Sequence, residues 1–172
     1  MLKAIKSKRF QAKEGRFAIV ASRYNARYVD SMVRAATAEL KQAGVKQIQV
    51  VRVPGAYEIP LVAAKLARAG AADSSRFTSH VSRPAAIICL GVILRGETTH
   101  AAHIGEAVSD TLMEIQVKHE VPVIHEVLLL ENKQQAEARC VDPKHNRGRE
   151  AAQTALTMAR VMADLGSVRH PA

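Results

Sequence analysis

Tryptophan is absent from this 172-residue chain, which contains only three tyrosines, three phenylalanines and two cysteines. Two cysteines are too few for the disulfide framework of a small secreted domain. No window is apolar over the length that crosses a membrane, and the first residues have no apolar core of the kind that a signal peptide needs. We therefore expect one domain with a full hydrophobic core, located in the cytoplasm and without a membrane partner.

The charge of the chain is strongly positive, at +9, and much of the excess lies at the front. Residues 1–16 contain six basic residues and one acidic residue. No aromatic stacking platform accompanies them, so nucleic acid is not expected as a partner. We interpret residues 1–15 as a solvated basic segment. The alternative is a segment that recruits an anionic partner or lines the interior of a shell.

Apolar runs alternate with helical periodicity along the rest of the chain. The runs predict strands over residues 16–22, 48–53, 85–90 and 121–130. The helical spacing predicts helices over residues 28–43, 59–69, 101–119, 134–139 and 150–165. We expect residues 70–84 to form an inserted surface loop and residues 166–172 to form a fraying tail, which leaves a domain over residues 16–165.

Strands that alternate with helices favour right-handed crossovers and a parallel sheet between two helical layers. For four strands we predict a flavodoxin-like, three-layer α/β/α sandwich with strand order 2-1-3-4. Ligands of such sheets bind beyond the carboxyl ends of the strands. Three predicted turns meet at that edge, over residues 22–25, 54–58 and 91–100.

The third turn has the sequence Gly-Val-Ile-Leu-Arg-Gly-Glu-Thr-Thr-His over residues 91–100. Unpaired backbone amides and the positive end of a helix dipole favour an anion such as phosphate where a helix begins. His100, in the first helical turn, is suited to proton transfer beside that anion, and Glu97 would offer its backbone amide. The alternative is an ordinary turn capped by threonine, which leaves Arg95 and His100 unexplained.

His100 and His103 also have a spacing that can bind a metal on a helix. No cysteine or carboxylate pattern completes such a site, so we expect no metal.

The second turn, Pro-Gly-Ala-Tyr-Glu-Ile-Pro over residues 54–60, is the next candidate. Its exposed backbone and Glu58 are suited to holding a polar planar ring, on which Tyr24 from the first turn could stack. The alternatives are a plain helix start and a tyrosine used for packing. Arg139 is predicted near the end of a short helix. A cation is favoured there by the helix dipole, and the alternative is that the side chain caps a phosphate brought from elsewhere.

Taken together, these segments resemble the 6,7-dimethyl-8-ribityllumazine synthase family from about residue 16 to residue 164. The two long motifs are Val-Pro-Gly-Ala-Tyr-Glu-Ile-Pro over residues 53–60 and Leu-Gly-Val-Ile-Leu-Arg-Gly-Glu-Thr-Thr-His over residues 90–100. Shorter matches follow in order at residues 121–124, 131–132 and 146–148. The resemblance implies condensation of 5-amino-6-(D-ribitylamino)uracil with 3,4-dihydroxy-2-butanone 4-phosphate, the penultimate step of riboflavin biosynthesis, with no metal or organic cofactor.

The resemblance also implies roles for individual residues. His100 is the expected proton-transfer residue. Tyr24 stacks on the pyrimidine, and His125 and Arg139 come from a neighbouring subunit. The residues implied for the pyrimidine and ribityl chain are Tyr24, Asn25, Ala56, Tyr57, Glu58, Val92, Ile93, Leu94 and His125. Those implied for the phosphate are Glu97, Thr98 and Arg139.

A family site shared between subunits implies a homo-oligomer acting on small-molecule substrates. The family assembles as pentamers, and some members form sixty-subunit icosahedral shells; which assembly forms here stays open. Riboflavin synthase is a candidate partner.

The chain departs from the family at four places. They are His125 in place of an aromatic residue, Pro143 followed by Lys144 in place of a lysine, the loop over residues 70–84, and the basic front segment. In the family the front segment often adds a strand to a neighbouring subunit, whereas residues 4–12 of this chain show only weak strand alternation. Two alternative functions follow from these departures. With His125 at this position the protein could be a carrier of flavin or lumazine that has lost catalysis. With its basic segment it could be a structural shell protein that encloses acidic cargo. The intact turns favour the enzyme over both alternatives.

Overall fold

The computed structural model describes residues 15–69 and 83–167. Four strands in these residues form one parallel sheet in the order β2-β1-β3-β4, as predicted. The strands are β1 (Arg16–Ser22), β2 (Gln47–Val53), β3 (Ala86–Leu94) and β4 (Val123–Leu130). The helices are α1 (Ala26–Gln42), α2 (Ile59–Arg68), α3 (His100–His119), α4 (Lys133–Ala136), a π-helix (Glu137–Val141) and α5 (Arg147–Ser167).

Two apolar cores cover the two faces of the sheet. Alternate residues of a strand point to opposite faces, so Phe17 and Ile19 of β1 pack with α1 and α5. Val20 of the same strand packs with α2 and α3 on the other face. The central strands are therefore apolar from Phe17 to Ala21 in β1 and along the whole of β3, which is why their runs predicted strands. None of the helices within the described residues is long and apolar enough to cross a membrane.

Strand β3 is longer than predicted, which is a correction at the third turn. It continues through Gly91 to Leu94 and pairs with β4 along that whole length, Gly91 lying opposite Val127. A Cβ atom on Gly91 would lie 3.1 Å from Val127 Cγ1 and 3.2 Å from Ile59 Cδ1. The glycine therefore serves close packing inside the sheet, and the turn itself begins only at Arg95.

The carboxyl-terminal elements also differ from the prediction. The helix predicted over residues 134–139 consists of α4 and the π-helix, which ends at Val141. Helix α5 begins at Arg147, because the buried Asn146 side chain accepts a hydrogen bond from Gly148 N (3.0 Å). The helix ends at Ser167. Residues 1–14, 70–82 and 168–172, which hold most of the predicted basic segment, inserted loop and tail, lie outside the described residues.

Gly148 lies where α5 crosses α1. A Cβ atom there would lie 2.6 Å from Met32 Cα and closer still to the carbonyl oxygen of Met32. These atoms are backbone, so they cannot move aside as a flexible side chain would. The close approach of the two helices therefore depends on glycine at this position.

We expect Gly148→Ala to lower the free energy of unfolding by about 2 kcal/mol, because the new methyl group forces α5 away from α1. Gly166→Ala is the matched control on the same helix, since a Cβ atom there meets nothing within 4 Å. That control is expected to be neutral or stabilising by about 0.5 kcal/mol. Urea unfolding at fixed protein concentration measures both, and equal effects would contradict the packing argument.

Candidate active site

Hydrogen bonds join the first two turns at the carboxyl edge of the sheet. Tyr24 N donates to Pro54 O (3.0 Å), and Arg23 N donates to Val53 O (2.8 Å). Within the second turn, Gly55 N donates to Glu58 Oε2 (2.8 Å), which holds this carboxylate at the start of α2. The structure therefore brings Tyr24 and Glu58 onto one connected surface.

Both tyrosines of these turns are exposed at that edge. Tyr24 is 75 % exposed and Tyr57 is 64 % exposed, whereas the chain's third tyrosine, Tyr28, is buried. Among the residues that the structure describes, Tyr24 is thus not packed into a core, which is against the alternative of a plain packing residue. An exposed aromatic ring beside a held carboxylate suits recognition of a planar polar ligand.

Asn25 links the first turn to β3. It has the left-handed backbone conformation (φ 55°) that asparagine tolerates well, and its Nδ2 donates to Val92 O at 2.8 Å. Pairing of β1 with β3 ends at Ala21 and Leu90, so β3 extends past the end of β1. The part of β3 that extends past β1 therefore has one open edge.

Backbone groups alternate in direction along this extension of β3. Val92 O points towards Asn25, and Arg95 N donates to Leu130 O of β4 (2.8 Å). By alternation, Leu94 presents its backbone to the open side with Val92, whereas Ile93 faces β4. Leu94 thus turns its backbone towards the open side, where Val92 O already accepts a hydrogen bond from Asn25, while Ile93 faces β4.

The third turn comprises residues 95–99, all of them exposed, and leads into α3. Thr99 makes no capping hydrogen bond through its side chain, and the hydroxyl of Thr98 accepts one only from His100 N, at 3.4 Å. Within the described residues, the backbone amides of Gly96, Glu97 and Thr98 have no protein acceptor. These amides lie at the positive end of a 20-residue helix without an acidic residue in its first turn.

Two basic side chains of this region have distinct surroundings. Arg95 Nε lies 3.2 Å from Glu131 Oε2 in an exposed ion pair, so its charge is partly neutralised. His100 is exposed at the first position of α3. Among the described residues, no group of three or more His, Cys, Asp or Glu side chains is placed to hold a metal ion.

His125 and Arg139 lie apart from these turns. His125 lies opposite Cys89 on the edge strand β4, about 16 Å of strand length before the end of that strand. Arg139 is exposed on the π-helix, which packs on the α1 and α5 side, whereas His100 begins α3 on the other side. One chain therefore does not bring either residue together with His100.

A buried ionic cluster beneath the π-helix was not identified from the sequence. Glu126 is 8 % exposed, and its Oε2 lies 3.0 Å from Arg147 Nε, while Arg147 Nη1 also bonds Glu150. Burial raises the pKa of Glu126 to about 6, although the charges of Arg147 and Arg139 act to lower it. The available signal was a charge at an inward-facing position of β4, between Ile124 and Leu128.

Glu126→Gln is expected to remove one component of the pH dependence of stability. The folded protein holds this proton more tightly than the unfolded chain, whose pKa is the ordinary 4.5. The resulting stabilisation is present below pH 4.5 and is lost as the pH rises through 6. The difference between the two pKa values corresponds to a fall of about 2 kcal/mol in the free energy of unfolding over this pH range. The Glu126→Gln variant should not show this fall.

Urea unfolding between pH 4 and pH 8, at about half-unit steps and fixed protein concentration, measures this loss. Glu114→Gln, at an exposed position of α3, is the control and should retain the parent profile. Parallel profiles for the parent and Glu126→Gln would contradict the assignment.

Comparison with known proteins shows one consistent similarity. The family model described as 6,7-dimethyl-8-ribityllumazine synthase matches residues 14–163. A protein of that name from Stenotrophomonas maltophilia (strain R551-3) is 41% identical over 152 residues, covering 87% of this chain and 90% of the relative. One from Xanthomonas campestris pv. campestris (strain B100) is 40% identical over 149 residues, covering 86% and 89%. All three turns lie inside the matched range.

Proposed function

The chain belongs to the 6,7-dimethyl-8-ribityllumazine synthase family, and from this premise we propose that the carboxyl edge of its sheet is the substrate site. The enzyme condenses 5-amino-6-(D-ribitylamino)uracil with 3,4-dihydroxy-2-butanone 4-phosphate. The products are 6,7-dimethyl-8-ribityllumazine, inorganic phosphate and water. The observation that carries the proposal is that the family match includes all three turns that meet at this edge.

The phosphate is proposed to bind at the start of α3. The free amides of Glu97 and Thr98 and the helix dipole favour an anion there. The same groups stabilise the phosphate as it leaves, after a Schiff base has joined the two substrates. His100, at the first position of the helix, is proposed to move the proton that the elimination requires.

The pyrimidine and its ribityl chain are proposed to lie between the first two turns and β3. Tyr24 offers an exposed ring for stacking, and Asn25 holds the first turn against β3. The backbone of Leu94 on the open side of β3, and the second lone pair of Val92 O beside its bond from Asn25, can pair with the polar edge of the pyrimidine. The second turn is proposed to hold the ribityl chain and the ring through Ala56, Tyr57 and Glu58, while Ile93 contributes only its side chain. Holding both substrates in register lowers the barrier through orientation alone.

The remaining two residues are proposed to come from a neighbouring subunit. His125 and Arg139 lie away from the turns of their own chain, so a second copy must supply them if they line the site. The exposed apolar side chains of Leu61 on α2 and of Met113 and Val117 on α3 favour such an assembly. We propose the pentamer as the functional unit, and light scattering distinguishes it from a decamer and a sixty-subunit shell.

Three finer assignments belong to this proposal. Riboflavin synthase, which consumes the lumazine, is the proposed protein partner. The proposed location is the cytoplasm, where the thiols of Cys89 and Cys140, both free and buried here, stay reduced. Residues 1–15 are proposed to be a basic segment beside the enzyme domain, and residues 70–84 an insertion in it.

The test is to mix the pure protein with both substrates and follow the lumazine chromophore by absorbance. We expect a rate well above the uncatalysed condensation, with phosphate released in equal amount. The absence of any such rate would overturn the proposal. Tight binding of flavin or lumazine without turnover would instead support the carrier.

A further inference from the structure

The imidazole of His125 has both of its nitrogens engaged by its own chain. Val127 N donates to Nδ1 at 3.2 Å, so Nδ1 carries no proton. Nε2 lies 2.8 Å from Ser109 Oγ, and that hydroxyl is 2.7 Å from Gly105 O. The arrangement that satisfies every group has Nε2–H donating to Ser109 and the Ser109 hydroxyl donating to Gly105.

These contacts keep the ring neutral. Burial lowers the pKa of His125 below its ordinary value. A hydrogen bond with its own backbone acts against this shift but does not reverse it. The neutral form is also the one that fits the geometry, because Nδ1 must be unprotonated to accept from Val127 N. His125 is therefore an uncharged ring at neutral pH.

The faces of the ring remain available. The side chain of His125 is exposed on β4, which is an edge strand of the sheet. With both nitrogens engaged in its own chain, the ring offers a flat, uncharged surface and no free hydrogen-bonding group. Such a surface can stack on a planar ligand as a phenyl ring does.

We propose that Ser109 is a positioning residue, which holds His125 in one plane and one tautomer so that the ring face meets the pyrimidine bound at the neighbouring subunit. This inference rests on the proposed function, which places His125 at the subunit boundary. Ser109 itself touches no substrate. It explains how a histidine serves where an aromatic residue is common in the family.

Ser109→Ala tests the proposal, with Thr111→Ala as the matched control. Both hydroxyls lie on α3 and donate to the carbonyl four residues earlier, Thr111 to Ala107 O at 2.7 Å, but only Ser109 touches His125. Losing one neutral hydrogen bond should raise the KM for the ribitylaminouracil about 3- to 10-fold. The kcat and the KM for the phosphate substrate should not change, and Thr111→Ala should change none of the three. Equal effects of the two variants would overturn the proposal.

A second comparison separates positioning from a general effect on the helix. In a His125→Phe background the ring cannot bond Ser109, so adding Ser109→Ala should leave the KM for the ribitylaminouracil unchanged. The same rise in both backgrounds would overturn the proposal. Alanine is also the better helix former, so loss of α3 would not explain a rise.

The tautomer provides a readout that does not depend on turnover. Solid-state 15N spectra of sedimented, histidine-labelled protein should show His125 in the single Nε2–H form, identified by its loss in His125→Phe. Ser109→Ala should add the Nδ1–H form or broaden the signal. An unchanged spectrum would overturn the positioning role of Ser109. If the spectrum changed but the protein had no synthase activity, Ser109 would still position His125 and the proposed function would be wrong.

Discussion

Replacing His100 by alanine is expected to lower kcat about 100-fold, the lower end of what general acid–base catalysis supplies. The lower end applies because His100 is exposed, so water can replace it in part. The KM for 3,4-dihydroxy-2-butanone 4-phosphate should change little, since backbone amides and not the imidazole bind the phosphate. Steady-state kinetics with both substrates varied measures the two constants separately.

His103→Ala is the matched control for this variant. His103 is exposed three residues further along α3 and should have no part in proton transfer. The assignment of His100 would be wrong if both variants lost activity equally, or if His100→Ala kept the parent kcat.

Arg139→Ala is expected to raise the KM for the phosphate substrate about 10- to 100-fold, because a charge-assisted hydrogen bond to phosphate contributes about 1.5–3 kcal/mol. This rise should far exceed that caused by His100→Ala. Arg160→Ala is the control, since Arg160 is exposed on α5 and its guanidinium lies 3.7 Å from Asp164 Oδ2 on the same helix. Equal rises for His100→Ala and Arg139→Ala would contradict the two roles.

The same two variants also test whether the site is shared. His100 and Arg139 lie on opposite sides of the sheet in one chain, so a complete site would take each from a different subunit. When His100→Ala and Arg139→Ala chains are unfolded together and reassembled, about a quarter of the sites in a ring should regain both residues. Activity that stays at the level of the separate variants would place both residues in one chain's site and rule out the shared arrangement.

The fold was largely predictable because its signals are local. The apolar runs of β1 and β3 and the helical spacing of α1 and α3 each lie within one short segment. Alternation of strands and helices then leaves few topologies, of which order 2-1-3-4 is the one observed. The motifs of the three turns were equally visible, since each is contiguous in the sequence.

The errors arose where distant residues decide the local structure. Gly91 resembles a turn residue by type, but packing against Val127 and Ile59 keeps it in a strand. Glu126 was passed over inside an apolar run because its partner, Arg147, is 21 residues away. Neither residue's neighbours in the sequence carry information about these contacts.

The amino-acid sequence by itself determined the family, the strand order and which residue types stand at the three turns, because each follows from contiguous patterns. Only the tertiary structure decided which backbone groups those turns leave free and which histidine is held neutral by its neighbours. The open edge of β3 follows from where β1 stops pairing, and Asn25 reaches Val92 across 67 residues. Strand register and hydrogen bonds between distant segments arise only when the chain is packed, so no local pattern encodes them.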